Sequence, residues 1–218
     1  MNRSGFAMTS ASEQQLLAQE RRGSRVWLWL GLMVLVAVVF AAAMLLRPPP
    51  AEVGPRHPAV GTKITTFHLE PLTGNGLETS LDDLAGKVTP LNFWGPWCSA
   101  CIVEFPHLVE LERHFRASDD FQFFSVSSNQ NARDETGLAA STAEFLKQQQ
   151  ADFPTYRDSD AHTIDSLIDA AKLDHFGFPT TVLLGRDGAI RGLWLGYSRG
   201  DEESVRQAIE KALAEKAK

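Results

Sequence analysis

Cysteine is almost absent from this 218-residue chain. There are two, Cys98 and Cys101, beside two tyrosines and four methionines. A multi-bridge disulfide scaffold is therefore excluded, and most zinc modules need more thiols than this. Basic charge is also scarce after position 60. Residues 1–59 carry six basic and three acidic side chains (net +3), whereas residues 60–218 carry 15 basic and 24 acidic (net −9). A domain of net −9 is poorly suited to nucleic acid, because phosphate contacts need a basic surface. No internal repeat is present. With 44% apolar and 22% charged residues the composition is that of an ordinary folded protein.

One long apolar run is present. Val26–Leu46 holds 21 residues without a charge. As a helix it would span about 31 Å, the thickness of a bilayer core. Arg21, Arg22 and Arg25 precede it and only Arg47 follows directly, so residues 1–25 are expected inside the cell and residues 47–218 outside. A cleaved signal peptide remains an alternative, with Ala41-Ala42-Ala43 as a cleavage site, although the apolar run continues to Leu46. Residues 47–60 contain five prolines and read as a semi-rigid spacer. The expected organisation is a tail (1–25), a single transmembrane anchor (26–46), a linker (47–60) and one domain (61–218).

Within 61–218 strand and helix signals alternate, which predicts an α/β domain with helices over a central sheet. Strands are expected near Ile64–Leu69, Val88–Phe93, Phe121–Ser127 and around Tyr156. Helices are expected from Cys98 onward, over Ser141–Gln150 with Ser141 or Thr142 at its start, and over Ile164–Leu173. Thr180–Leu184 and Ala189–Leu195 flank an Asp-Gly turn, the clearest hairpin signal in the chain. Glu202–Ala217 has Val205, Ile209 and Leu213 on one helical face. Pro90 is unexpected inside the second strand, where a missing N–H suggests a bulge or a shortened strand.

Chemistry concentrates at Trp94-Gly95-Pro96-Trp97-Cys98-Ser99-Ala100-Cys101. A β-type run precedes Cys98 and a helical pattern follows it. That places Cys98 at a helix N-terminus, where the macrodipole and free N–H groups favour the thiolate. Cys101 lies one turn inside, more shielded, and would attack a mixed disulfide to release product. Two blander readings compete: half of a metal site, and a structural disulfide. No second cysteine pair completes a ligand set, and so short a loop constrains an unfolded chain little.

The stretch NFWGPWCSACIVEFPHLVEL resembles the active-site segment of the thioredoxin superfamily, and more narrowly that of membrane-anchored TlpA/ResA-like thiol–disulfide oxidoreductases. Trp94, Trp97, Cys98, Cys101, Pro106 and the later Phe178-Pro179-Thr180 carry the resemblance, which covers about residues 60–218. It implies a thioredoxin-like fold, no cofactor beyond the Cys98–Cys101 disulfide, and no metal. It also implies a cis peptide at Pro179, with Phe178 offering its backbone to an extended substrate and Trp97 as an apolar substrate contact. Thioredoxins usually place a buried aspartate where this chain has Asn92. ResA-like proteins place a glutamate where it has Glu104, which suggests that Glu104 manages the Cys101 proton.

The resemblance further implies client proteins with thiols or disulfides and a membrane electron donor of the DsbD/CcdA type. It favours reduction of clients, for example in cytochrome c maturation, from a site on the outer face of the inner membrane. Two departures bear on this. Phe178 is bulkier than expected before the proline, and Thr180 stands where the cytochrome c subgroup often has glutamate. The alternatives are a thiol oxidase or isomerase, and a copper-handling protein using Cys98, Cys101 and His175.

Overall fold

A computed structural model describes residues 29–40, 53–131 and 136–215. The chain divides into two units, residues 1–51 and 52–218. In the first, residues 29–40 form a helix, α1, whose side chains are all exposed. The expected tail, the two ends of the apolar run and residues 47–52 lie outside the described residues. Among the described residues no helix is long and apolar enough to cross a membrane.

The second unit is a seven-stranded mixed sheet. Its elements run β1 (His68–Thr73), β2 (Thr79–Ser80), a 3-10 turn (Leu81–Leu84), β3 (Thr89–Trp94), α2 (Ser99–Phe115), β4 (Phe124–Ser127) and α3 (Leu138–Gln148). Then follow β5 (Thr155–Arg157), α4 (His162–Ala171), β6 (Thr180–Leu184), β7 (Ile190–Leu195) and α5 (Asp201–Ala214). The strand order is β2-β1-β5-β4-β3-β6-β7. β3, β4 and β5 are parallel, joined by α2 and α3, and the remaining pairings are antiparallel. This is the thioredoxin-like arrangement expected from the sequence.

β3 lies inside the sheet, between β4 and β6, and every residue in it is buried. Alternation along the strand separates its side chains between two layers. Leu91 and Phe93 join Val126, Val182 and Leu184 in a core that includes Ile164 and Leu167 of α4. Trp94 faces the opposite way, packing with Cys98, Cys101 and Phe105 of α2 and Phe145 of α3. Further along that same side Val88 and Leu183 meet Leu111, Phe115, Val205 and Ile209.

Pro90 sits inside β3 without ending it, opposite Leu183 of β6. Val88 bonds to the β4 side through both backbone groups, to Asp120 O and from Gln122 N. By alternation Pro90 faces that side too. There the ladder lapses between the Val88–Phe121 bridge and the Leu91–Phe124 pair. The register is the same on both sides of the lapse, so the lapse falls where Pro90 has no N–H to give.

Other boundaries differ from expectation for identifiable reasons. Ile64 and Phe67 are buried, but their segment is not a strand. The N–H groups of Thr65 and Thr66 donate to Ser166 Oγ (2.8 and 3.1 Å), and His68 N donates to Thr163 Oγ1 (3.0 Å), both on α4. Helix α3 starts at Leu138, three residues before Ser141, because Gly137 turns the chain at φ 68°. Ser141 Oγ instead donates back to Gly137 O and Leu138 O. α4 ends at Ala171, with Lys172 in the left-handed conformation, and Leu173 lies beyond it.

The expected spacer gives way to folded chain well before position 60. Gly54 N donates to Leu193 O (2.7 Å) and Leu193 N donates back to Gly54 O (3.2 Å). Gly61 N and Thr62 O bond Ile190. Ala59 is buried. Residues 53–63 thus form a strap along β7. A Cβ at Gly54 would lie 2.7 Å from the Trp194 indole, so glycine permits the close approach.

Candidate active site

β3 ends at Trp94 and the chain turns through Gly95-Pro96 into α2. Cys98 is the N-cap of that helix, with extended backbone (φ −89°, ψ 111°). Its Sγ accepts a hydrogen bond from Cys101 N at 3.2 Å. The two cysteines form a disulfide with Cα atoms 5.2 Å apart. Cys98 is 6% exposed and Cys101 fully buried, the asymmetry expected of an attacking and a resolving sulfur.

Trp97 stands beside the disulfide and is 40% exposed. Its Nε1 donates to Ser128 O (2.8 Å), which fixes the indole against the loop after β4. Gly95 makes room for it: a Cβ there would lie 2.4 Å from Trp97 Nε1. Trp97 meets Phe178 edge to face, with centroids 5.6 Å apart. The Phe178–Pro179 bond is cis. Thr180 pairs with Phe93 on one side and Leu195 on the other, which holds the proline loop at the same end of the sheet as the cysteines. The Pro179 carbonyl accepts from Gly196 N (2.8 Å). Trp94 is buried, as expected, and donates from Nε1 to Ser125 Oγ (2.7 Å).

Glu104 lies one turn beyond Cys101 and is 7% exposed. Asn92 Nδ2 donates to its Oε2 (3.1 Å) and to Thr181 Oγ1 (2.9 Å), and Thr181 Oγ1 is 3.4 Å from Glu104 Oε1. Burial pushes the Glu104 carboxyl up to about 7, with the two hydrogen bonds pulling back and the Asp201 carboxylate adding to the rise. Asn92 is more than a replacement for an aspartate, since it binds the carboxyl directly. Its Oδ1 is buried without a partner. Sequence reasoning missed Thr181. The alternation of Thr180–Leu184 puts it on the same side of the sheet as Asn92, which was the available signal.

His175 is exposed. Among the described residues no three His, Cys, Asp or Glu side chains group closely enough to hold a metal ion. A wider surface groove of about 340 Å³ lies between the strap and α5, and neither cysteine lines it.

A strand-to-helix CxxC disulfide beside a cis-proline, on this sheet, defines a thioredoxin-like redox protein. Residues 59–209 match the Redoxin family, and the chain belongs to it. Among similar proteins is the thiol-disulfide oxidoreductase ResA of Bacillus subtilis (strain 168). It is 32% identical over 130 residues, which are 60% of this chain and 64% of that one. The thioredoxin-like protein YneN of the same strain is 27% identical over 136 residues, 62% of this chain and 71% of its own. The chain therefore spans about two thirds of the length of these relatives. A solved structure of a candidate thiol:disulfide interchange protein DsbE from Chlorobium tepidum superposes with a TM-score of 0.56 at 28% identity. It covers 71% of this chain and 98% of that one.

Proposed function

We propose that this chain is a membrane-anchored, extracytoplasmic thiol–disulfide oxidoreductase that reduces disulfides in client proteins through a Cys98/Cys101 cycle. The observation that carries the reading is the Cys98–Cys101 disulfide at the N-cap of α2 beside cis-Pro179. The names of its relatives support it. The charge-free run Val26–Leu46 with its preceding arginines supports the anchor and its orientation. Protease accessibility of the domain in spheroplasts tests both, and a protected domain would reverse the topology.

In the reduced protein the helix N-terminus and the Cys101 N–H stabilise a Cys98 thiolate. That thiolate attacks a client disulfide and expels one client sulfur. Cys101 then attacks Cys98, and the second client sulfur leaves. Glu104 accepts the proton that Cys101 must lose. A membrane donor of the DsbD/CcdA type restores the dithiol. Trp97 and Phe178 give the client an apolar seat, and the backbone at Phe178 pairs with an extended client segment. Cytochrome c maturation is one setting for such a reductase.

Trapping tests the cycle. Cys101→Ala is expected to leave Cys98 linked to its client as a stable mixed disulfide, readable by mass spectrometry. No Cys98-linked adduct in the native host would defeat the reading. A reduction potential near thioredoxin's, about −270 mV, fits reduction, and one near −120 mV would make the protein an oxidant.

A further inference from the structure

Glu104 presents a transport problem. Its carboxyl is all but sealed from solvent, yet in the proposed cycle it must take up and give back one proton per turnover. Two neighbouring spaces between α2 and α5, which share His107, Leu111 and Glu202 in their walls, offer a route. The inner one is a narrow slot of about 20 Å³, lined by Glu104, His107, Tyr197, Asp201 and Glu202 with Trp194 as part of its apolar wall. A space of that size is enough for about one water. The outer one is an open groove of about 280 Å³, lined among others by His107, Glu202, His114 and Arg206. His107 and Glu202 line both and so stand where the slot meets the groove.

We propose that this slot is the path by which Glu104 exchanges protons with solvent, with His107 carrying them across its mouth. The inference rests on the proton role proposed for Glu104. His107 touches neither cysteine. It acts through Glu104 and is a positioning residue for the relay.

The groups facing Glu104 divide the work. From β3 and β6 come Asn92 and Thr181, which hold the carboxylate but do not titrate. Tyr197, after β7, stacks on the His107 ring (centroids 6.2 Å apart, 21° between planes). Burial and the neighbouring Glu202 carboxylate push the Tyr197 phenol up, so it stays protonated and acts as a wall rather than a base. Its hydroxyl lies 3.4 Å from Glu202 Oε2, and Glu202 also accepts from Gly200 N (3.0 Å), which fixes that carboxylate at the mouth. Asp201 adds negative charge from α5 and favours holding a proton inside. Of the side chains lining the slot, imidazole is the type that ordinarily both accepts and releases a proton near neutral pH.

The balance is as follows. The Cys101 S–H bond breaks and its proton passes to a Glu104 carboxylate oxygen. The Cys101 electron pair forms the bond to Cys98 Sγ while the Cys98–client S–S bond breaks, and the client leaves as a thiolate. Glu104 then gives its proton to the slot water, the water gives one to a His107 ring nitrogen, and His107 releases one to the groove. When a donor dithiol re-reduces the disulfide, the same path runs inward and the proton ends on Cys101.

The test uses the reduced full chain with oxidised glutathione as probe, followed by stopped-flow tryptophan fluorescence in weak buffer across pH 5–9. His107→Gln is expected to slow disulfide formation about tenfold at neutral pH, less than the roughly 10²–10⁴-fold of a group that transfers the reacting proton directly, because His107 acts through Glu104. His107→Phe keeps a ring against Tyr197 and should be as slow. Free imidazole should restore both variants, and Glu104→Gln/His107→Gln should be no slower than Glu104→Gln alone. Wild-type rates in both His107 variants, a defect that imidazole leaves in place, or additive losses in the double variant would overturn the route. If Glu104→Gln itself reacts like wild type, the proton role of Glu104 fails and the route with it. An unreactive wild-type dithiol would defeat the redox reading as a whole.

Discussion

The two faces of one strand have been given different work. Leu91 and Phe93 of β3 point into an apolar layer beneath α4. Asn92 and Trp94, their immediate neighbours, point the other way, toward α2 and the disulfide. The first face buries hydrocarbon. The second buries an asparagine, a threonine and a glutamic acid in contact with one another, including an orphaned amide oxygen. Polar groups buried this way cost stability unless fully paired. Both faces bury hydrocarbon, but the buried polar groups next to the sulfurs lie on only one of them.

Three changes would test that division. The largest effect is expected from Phe93→Ala. Phe93 is fully buried, with Phe176 packed edge to face against it at 5.1 Å. Truncation should cost about 3–5 kcal/mol in urea unfolding and leave the redox kinetics of the folded fraction unchanged. A kinetic defect in that fraction would mean that the faces are coupled.

Glu104→Gln comes next. Its carboxyl is raised in the folded protein to about 7 from 4.5. The folded state therefore binds more protons than the unfolded state between these values. Its contribution is most favourable below about pH 4.5 and is lost as pH rises through about 7, by on the order of 3 kcal/mol. Glutamine does not titrate, so the variant should gain on wild type across that window in paired pH-dependent melts. Parallel curves would show that Glu104 is ionised throughout. The smallest effect belongs to Thr181→Val. It removes a hydrogen bond that favours the carboxylate, so the Glu104 limb of the pH–rate profile should move upward, with about 1 kcal/mol lost in unfolding. A downward move would contradict the hydrogen-bond assignment.

Local signals were legible in the sequence and remote ones were not. The Cys98–Cys101 pair, its strand-to-helix setting and the Asp187-Gly188 hairpin each depend on a few adjacent residues, and the structure follows them. Ile64–Phe67 reads as a strand because its residue types suit one, but its N–H groups are claimed by Ser166, about 100 positions away. The start of α3 is set by the backbone of Gly137 rather than by a capping side chain. Glu104 was recognisable from the resemblance to ResA-like proteins. Its hold on Asn92 and Thr181 was not, because those two meet only when β3 pairs with β6, 89 positions apart in the chain.

The strap over residues 53–63 has a consequence for how such a protein survives its clients. In the proposed role the protein works among partly unfolded chains, whose extended segments seek any free row of N–H and C=O groups. Here β7 has its outer row occupied by Gly54, Gly61 and Thr62, and the opposite margin of the sheet ends in β2, only two residues long. Both margins are thus shortened as templates for added strands. In the proposed role, a client that pairs its backbone at the proline loop does so beside Cys98, where disulfide exchange takes place.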